Sequence, residues 1–429
     1  MISRISKIPV QNRLFSPDKL HIFSIISLAA IVVIILANST INFDYSQSFD
    51  IFTEKDGSDH GAVESLKTEV QIKSSAITRM PLRSVKEKIE KVHGGNILNP
   101  WIPPLNVTEE DRIAWFREKL PGFDIFKSDD LARRFHSRVL EFFNPSCEAQ
   151  FFMTWISPVE SFRSREFLAM ESLFNVHPRG CLMILSRSMD SIAGYRILNP
   201  LLDSGFKVQA VTPDLSFLFN DTPSETWYSE LKMGNKDPGE IPLAQNLSNL
   251  MRLAVLYKYG GVYLDTDFIV LRPFNELRNS IGAQSVDGVS KNWTRLNNAV
   301  MIFDMKHPLL FKFIQEFALT FNGSKWGHNG PYLVSRVVER VRTRPGFNFT
   351  VLPTTAFYPV DWIKIGGLFK KPKDQVESKW VNEKLVQLSE SYGVHLWNKQ
   401  SSRLAIEEGS VMGRLISDHY VTCRNVYSS

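Results

Sequence analysis

Cysteine is scarce in this chain: Cys147, Cys181 and Cys423 are the only three in 429 residues, and no C-x-x-C pair occurs. Zinc ribbons and thioredoxin-like redox centres are thereby excluded. Concentrated positive charge is missing too. The formal net charge is +5, without the basic stripe that a nucleic-acid binder shows, and Lys370-Lys371-Pro372-Lys373 reads as a short solvated loop. No internal repeat is apparent, which argues against a solenoid. What is present is ordinary globular stock, 43% apolar and 22% charged, in a chain long enough for one large domain with appendages.

One apolar run has the length of a membrane span. Residues 20–37 are interrupted only by His21, Ser24 and Ser27, and residues 1–19 carry Arg4, Lys7, Arg13 and Lys19 against the single acid Asp18. Eighteen residues are near the minimum for a bilayer, and the preceding positive charge keeps the N-terminus cytoplasmic. The reading is a cytoplasmic tail (1–19), an uncleaved signal anchor (20–37), a polar stem (38–110), a helical extension of the stem (111–145) and a lumenal domain (146–429). A cleaved signal peptide is the alternative, but no clear A-x-A site follows Ala37. N-glycosylation acceptors in the expected lumenal part include Asn106, Asn220, Asn246, Asn292, Asn322 and Asn348. Asn246 stands too close to a buried helix to be a safe site.

Past residue 145 the patterning alternates. Residues 150–156, 181–186 and 206–211 read as strands; residues 159–175 and 188–203 read as helices, with Pro200 expected to kink or end the second. Such β-α-β-α-β order implies a parallel sheet with right-handed crossovers. Residues 222–242, rich in Gly and Pro, read as a loop. In a parallel βαβ unit the strand starts lie at one end of the sheet. Cys147 and Cys181 could then approach to the roughly 4.4–6.8 Å between Cα atoms that a disulfide needs, leaving Cys423 free.

Everything is organised around Asn246 to Phe274. From Leu250 to Tyr257 only Arg252 interrupts an apolar helix, and a guanidinium there needs a partner. Asn249 shares its face. Gly260-Gly261 ends the helix, Val262-Tyr263-Leu264 forms a short strand, and Asp265-Thr266-Asp267 follows. Two carboxylates at the end of a buried strand repel each other, a problem that a divalent cation solves. Taken alone, a D-x-D is weak evidence.

The whole arrangement resembles the DXD glycosyltransferases of the GT-A fold, and within them the α-1,4-galactosyltransferase (globotriaosylceramide synthase) group, especially its plant members. Their pattern S-[DN]-x-x-R-x-x-x-L-x-x-x-G-G-x-Y-x-D-T-D reads here Ser248-Asn249, Arg252, Leu256, Gly260-Gly261, Tyr263, Asp265-Thr266-Asp267. The resemblance continues in W-G-H-[NQ]-G-P (Trp326 to Pro331), in the Asn297-Asn298-Ala299-Val300 strand and in His395-Leu396-Trp397-Asn398-Lys399, and covers about residues 145–425.

The resemblance implies an α/β GT-A domain with a Rossmann-like nucleotide half. It implies a retaining, metal-dependent transfer from a nucleotide sugar, a UDP-hexose such as UDP-galactose, to a glycan or glycolipid. Asp265 and Asp267 would hold Mn²⁺ or Mg²⁺ with His395 as a third ligand. Thr154 and Trp155 would face the nucleotide, and Asn249, Arg252, Asn298 and His328 the donor sugar. Asn329 would stand at the reacting centre. Animal members carry Asp in place of Asn249, which leaves the donor sugar open. A Golgi membrane enzyme of single-pass type II is the implied setting.

Blander readings stand beside these. Trp155 could be a core tryptophan, Asn297 and Asn298 could cap a turn, His328 could be a cap, and His395 a structural histidine. Two rival functions are a haloacid-dehalogenase-type phosphatase and a catalytically silent lectin-like or assembly protein. The phosphatase pattern needs a small residue where Ile269 stands and a downstream G-D-x-x-x-D that this chain lacks.

Overall fold

The computed structural model describes residues 102–417, which fall within one compact unit, residues 92–429. The expected span at 20–37, the tail, most of the stem and Cys423 lie outside the described residues. Among the described residues no helix is long and apolar enough to cross a membrane.

Helices α1 (Glu109–Lys119) and α2 (Phe135–Phe142), with a single helical turn at Asp130–Arg133 between them, precede the sheet. Then follow β1 (Gln150–Thr154), α3 (Ser164–Val176), β2 (Cys181–Leu185), α4 (Ile192–Asp203) and β3 (Lys207–Val211). Next come α5 (Leu215–Phe219), α6 (Glu225–Lys232), α7 (Leu243–Tyr259), β4 (Gly261–Leu264) and β5 (Phe268–Val270). The remainder comprises β6 (Ser280–Val286), β7 (Trp293–Phe303), α8 (Pro308–Thr320), α9 (Pro331–Val341), β8 (Thr350–Leu352), α10 (Gln375–Ser389), β9 (Gly393–His395) and α11 (Val411–Ser417).

Seven strands form one sheet in the order β3-β2-β1-β4-β7-β6-β8, and β5 pairs with β9 in a separate ribbon. Strands β1 to β4 run parallel, as the alternating pattern requires, while β7 runs antiparallel to β4 and β6. The result is an α/β fold with a mixed central sheet. Strand β2 reads as an unbroken apolar run because both of its faces are covered, whereas β3, at the sheet edge, alternates. Phe152, Met183, Leu185 and Tyr263 join the core with α7, α8 and α9. Phe151, Met153, Leu182, Ile184, Val262 and Leu264 join the opposite core.

Helices α1 and α2 place Phe116, Phe135, Val139 and Phe142 in the first of these cores. Arg138 of α2 adds a bidentate pair with Asp190, at 2.6 and 2.8 Å. Cys147 and Cys181 form a disulfide with Cα atoms 5.5 Å apart, because Cys181 stands beside Gln150 in the parallel register. Closing a loop across 34 positions removes about 4 kcal/mol of chain entropy from the unfolded state.

Three local details differ from the sequence pattern. The expected loop at 222–242 contains α6, whose Trp227, Tyr228 and Leu231 are buried; two turns of helix between Gly and Pro are too short to show a period. Pro200 neither ends nor breaks α4, which runs on to Asp203, since a proline in the last turn forfeits only one backbone bond. Strands β6 and β8 were not anticipated: β6 is bulged against β7, and β8 has three residues, so neither carries a clean alternation.

Candidate active site

Helix α7 buries almost its whole length, and Arg252 is 3% exposed within it. Gly260 (φ 68°) and Gly261 (φ 100°) then reverse the chain. A Cβ on Gly261 would come 2.7 Å from the Gln150 carbonyl oxygen, so the turn demands glycine on grounds of both conformation and space. The reversal lays β4 alongside α7 and brings Asp265 back to Arg252: Nη1 lies 3.0 Å from Asp265 Oδ1.

Every nitrogen of that guanidinium is engaged. Nη1 also donates to the Asn298 carbonyl (2.9 Å), Nε to the Ser248 carbonyl (3.2 Å) and Nη2 to Ser248 Oγ (2.9 Å), while the group stacks 4.5 Å from the Tyr263 ring centroid. Burial would lower its pKa, but Asp265 outweighs burial and the value is raised. A closed ring of hydrogen bonds joins the pair. Ser248 Oγ meets Thr154 Oγ1 at 2.7 Å, Thr154 Oγ1 meets the Tyr263 hydroxyl at 2.8 Å, and Tyr263 donates to Asp265 Oδ1 at 2.9 Å. Arg252 has no acceptor atom and the carboxylate no donor. The direction is therefore forced: Arg252 to Ser248, Ser248 to Thr154, Thr154 to Tyr263, Tyr263 to Asp265.

Asp267 is buried and held from the C-terminal segment. The Asn398 N–H donates to its Oδ2 at 2.8 Å, and His395 Nε2 lies 3.2 Å from Oδ1. Trp397 takes a left-handed conformation (φ 53°, ψ 60°), strained for an aromatic residue, between His395 and the Asn398 amide that reaches Asp267. Burial alone would raise the Asp267 pKa, but His395 and these hydrogen bonds more than reverse it and the value falls. Burial would likewise lower His395, yet the two carboxylates raise it. In the neutral ring Nδ1 accepts from the Trp397 N–H (3.2 Å), and Nε2 then carries a proton toward Asp267, one that a cation bound at Nε2 would displace.

The sequence argument required a cation to separate two repelling carboxylates. The structure shows instead that the protein supplies a positive partner for each, Arg252 for Asp265 and His395 for Asp267. Asp265 Oδ2 and Asp267 Oδ1 both face His395 Nε2, at 3.9 and 3.2 Å. Asp265, Asp267 and His395 each offer one ligand atom, and the three atoms lie within 4.8 Å of one another. Two hard oxygens and an imidazole nitrogen suit Mn²⁺ or Mg²⁺. Two further groups nearby have unfilled capacity: the buried Tyr358 hydroxyl and Asn398 Oδ1 lack hydrogen-bond partners among the described residues, and the Tyr358 ring meets His395 edge-on with centroids 5.9 Å apart.

Beside this cluster, Asn298 Nδ2 donates to Asn249 Oδ1 at 2.9 Å. A Cβ on Gly330 would sit 2.8 Å from Asn249 Oδ1 and 3.1 Å from Asn298 Oδ1, so the W-G-H-N-G-P loop packs its glycine directly on the amide pair. The other sequence candidates have commitments of their own. Trp155 Nε1 donates to the Pro158 carbonyl (3.2 Å), and its ring meets Phe162 edge-on. His328 Nε2 bonds the Thr320 carbonyl (2.8 Å). Asn329 donates to Asn246 Oδ1 (2.9 Å) and to the Asn322 carbonyl (2.8 Å), and accepts from the Asn322 N–H (3.1 Å). Its amide thus ties α7 to the preceding loop. Asn246 is itself 3% exposed, which leaves no room for a glycan. The sequence argument missed the roles of Ser248, Tyr263, Tyr358 and the Asn398 amide; Ser248, Tyr263 and Asn398 stood within the resembling motifs but without an assigned role, and Tyr358 carried no signal.

Comparison with known proteins bears on the same residues. A family model described as "Glycosyltransferase sugar-binding region containing DXD motif" matches residues 163–286, and one described as "Alpha 1,4-glycosyltransferase conserved region" matches residues 302–429. The first contains Arg252, Asp265 and Asp267, and the second contains His395 and Asn398. Mouse lactosylceramide 4-alpha-galactosyltransferase is 35% identical over 253 residues, 56% of this chain and 65% of the relative. The Pongo pygmaeus protein of that name is 35% identical over 210 residues, 47% of this chain and 88% of the relative. An uncharacterized Arabidopsis thaliana protein is 32% identical over 287 residues, 65% of this chain but only 43% of the relative. The chain therefore spans under two thirds of the mouse and Arabidopsis proteins. With the acidic pair inside one matched region and its histidine partner inside the other, the chain belongs to the α-1,4-glycosyltransferase family whose sugar-binding region contains the DXD motif.

Proposed function

We propose that this protein transfers a hexosyl group with retention from a UDP-sugar to a glycan or glycolipid. The observation that carries this reading is the convergence of one oxygen each from Asp265 and Asp267 with His395 Nε2 at the end of β4. Those three residues would hold Mn²⁺ or Mg²⁺, which supplies positive charge to offset the leaving diphosphate. Arg252 and the hydroxyl ring fix Asp265 in direction, so its other oxygen is pre-aimed. Asn398 does the same for Asp267.

The amide pair orients the sugar. With Asn249 Oδ1 occupied by Asn298, no hydrogen bond among the described residues uses Asn249 Nδ2 or Asn298 Oδ1, leaving one donor group and one acceptor for sugar hydroxyls. Thr154 and Trp155 close the nucleotide side at the end of β1. His328 and Asn329 shape the loop that packs on the amides. Arrival of the acceptor hydroxyl on the face that UDP leaves accounts for retention. The anchor at 20–37 and the stem would present the domain in the Golgi lumen.

The test is purified protein screened against a panel of UDP-sugars with Mn²⁺, reading released UDP. Release from one hexose donor, abolished by chelation, is expected. No release from any donor would leave the alternative of a sugar-binding protein that kept the fold.

A further inference from the structure

Two exposed aromatic rings flank the W-G-H-N-G-P loop, and each carries a cation on its face. Lys399 Nζ lies 3.8 Å from the Trp326 ring centroid, and the Arg295 guanidinium 3.9 Å from that of Tyr332. Trp326 is 52% and Tyr332 41% exposed. The turn at Gly327, next to Trp326, connects the two: the Tyr332 N–H donates to the Gly327 carbonyl (3.1 Å), and the Tyr332 ring fills the space where Gly327 would carry a Cβ, 3.0 Å away. Among the described residues, no salt bridge or hydrogen bond engages either cation.

The pair also borders the site. Lys399 follows Asn398, whose N–H holds Asp267, and Arg295 precedes Asn298 by three positions on β7. A cation held only on an exposed ring face is bound by about 1 kcal/mol, so a carboxylate can recruit it. Exposed rings meanwhile offer flat apolar surface to the C–H face of a sugar.

Resting on the transferase reading, we propose that these two cation-capped rings form the acceptor subsite and that the acceptor carries an acidic sugar, a uronate or comparable carboxylate. The rings take the sugar face and Arg295 and Lys399 take the carboxylate. A neutral acceptor would leave both cations without a counter-charge.

The experiment titrates the full chain, without donor, with digalacturonate and with the neutral digalactoside, following tryptophan fluorescence. The acidic disaccharide should bind about ten-fold more tightly, the worth of one charge-assisted hydrogen bond. The Arg295→Gln/Lys399→Gln double variant, checked for an unchanged melting temperature, should lose that preference. If the variant does not fold, high salt on the wild-type chain should erase the preference instead. Equal affinity for the two disaccharides, absence of saturable binding, or a preference that survives in the double variant overturns the proposal. So does displacement of digalacturonate by UDP with Mn²⁺, which would assign the cations to the diphosphate. Binding is read apart from UDP release, so a failed transferase assay with the acidic preference intact sinks only the donor reading.

Discussion

Two Arg–Asp pairs in this molecule are both largely withdrawn from solvent and differ in what they leave open. Arg138 and Asp190 are closed on each other. Arg138 reaches both carboxylate oxygens, and the Thr212 N–H (2.8 Å) and hydroxyl (2.7 Å) add further bonds to Oδ2. Arg252 and Asp265 are open: Arg252 and Tyr263 both converge on Oδ1, while Oδ2 faces His395 at 3.9 Å. A carboxylate with both oxygens satisfied by protein is a fastener. One held rigidly by a single oxygen keeps the other for a ligand.

Breaking the open side should have the largest effect on activity. Asp267→Asn should reduce UDP release at least 100-fold, on the order expected for loss of an electrostatic group at the reacting centre. The amide keeps one acceptor for the Asn398 N–H, so the protein should stay folded. Thermal melting with UDP, with and without Mn²⁺, checks the assignment; equal stabilisation of wild type and variant would refute a metal role for Asp267.

Next comes the arginine exchange. Arg252→Ala removes a buried guanidinium, leaves the half-buried Asp265 without its partner and opens the hydroxyl ring, costing about 3 kcal/mol and activity with it. Arg138→Ala should cost about 2–3 kcal/mol while leaving UDP release per folded molecule unchanged. Denaturant unfolding paired with the release assay separates them, and equal activity losses in the two variants would erase the distinction.

The closed pair also predicts an acid response. Burial would raise the Asp190 pKa, but the bonds from Arg138 and Thr212 prevail and lower it. A lowered folded value means that the stabilisation is complete above the ordinary carboxylate range, about pH 4, and disappears as pH falls through the folded value. Asp190→Asn should therefore cost about 2 kcal/mol at neutral pH and progressively less toward pH 2; a constant difference across that range would argue against the pair. The smallest change in stability, within about 1 kcal/mol, belongs to Asn249→Asp, which keeps the bond to Asn298 and exchanges a free donor for an acceptor. Its readout is the order of preference within the UDP-sugar panel, and an unchanged order would remove Asn249 from sugar selection.

How far the sequence could be read depended on separation along the chain. The buried helix, the double glycine, the strand and the acidic pair are consecutive, so each constrains the next within a few residues. Strands β1 and β2 announced themselves as apolar runs, and Cys147–Cys181 followed from their register. His395 lay 128 positions beyond Asp267, and only its resemblance motif suggested ligation.

The sequence by itself determined that Arg252 must have a partner, because an apolar helix cannot tolerate an unpaired guanidinium. It determined the turn at Gly260-Gly261 and the place of two carboxylates at a strand end. Tertiary structure alone decided which partner Arg252 takes, which way the hydroxyl relay runs, and that Trp397 bends to put the Asn398 amide on Asp267. Hydrogen bonds reach about 3 Å and are blind to chain distance. Their pairing is set by strands and helices that must first pack, and no local pattern encodes it.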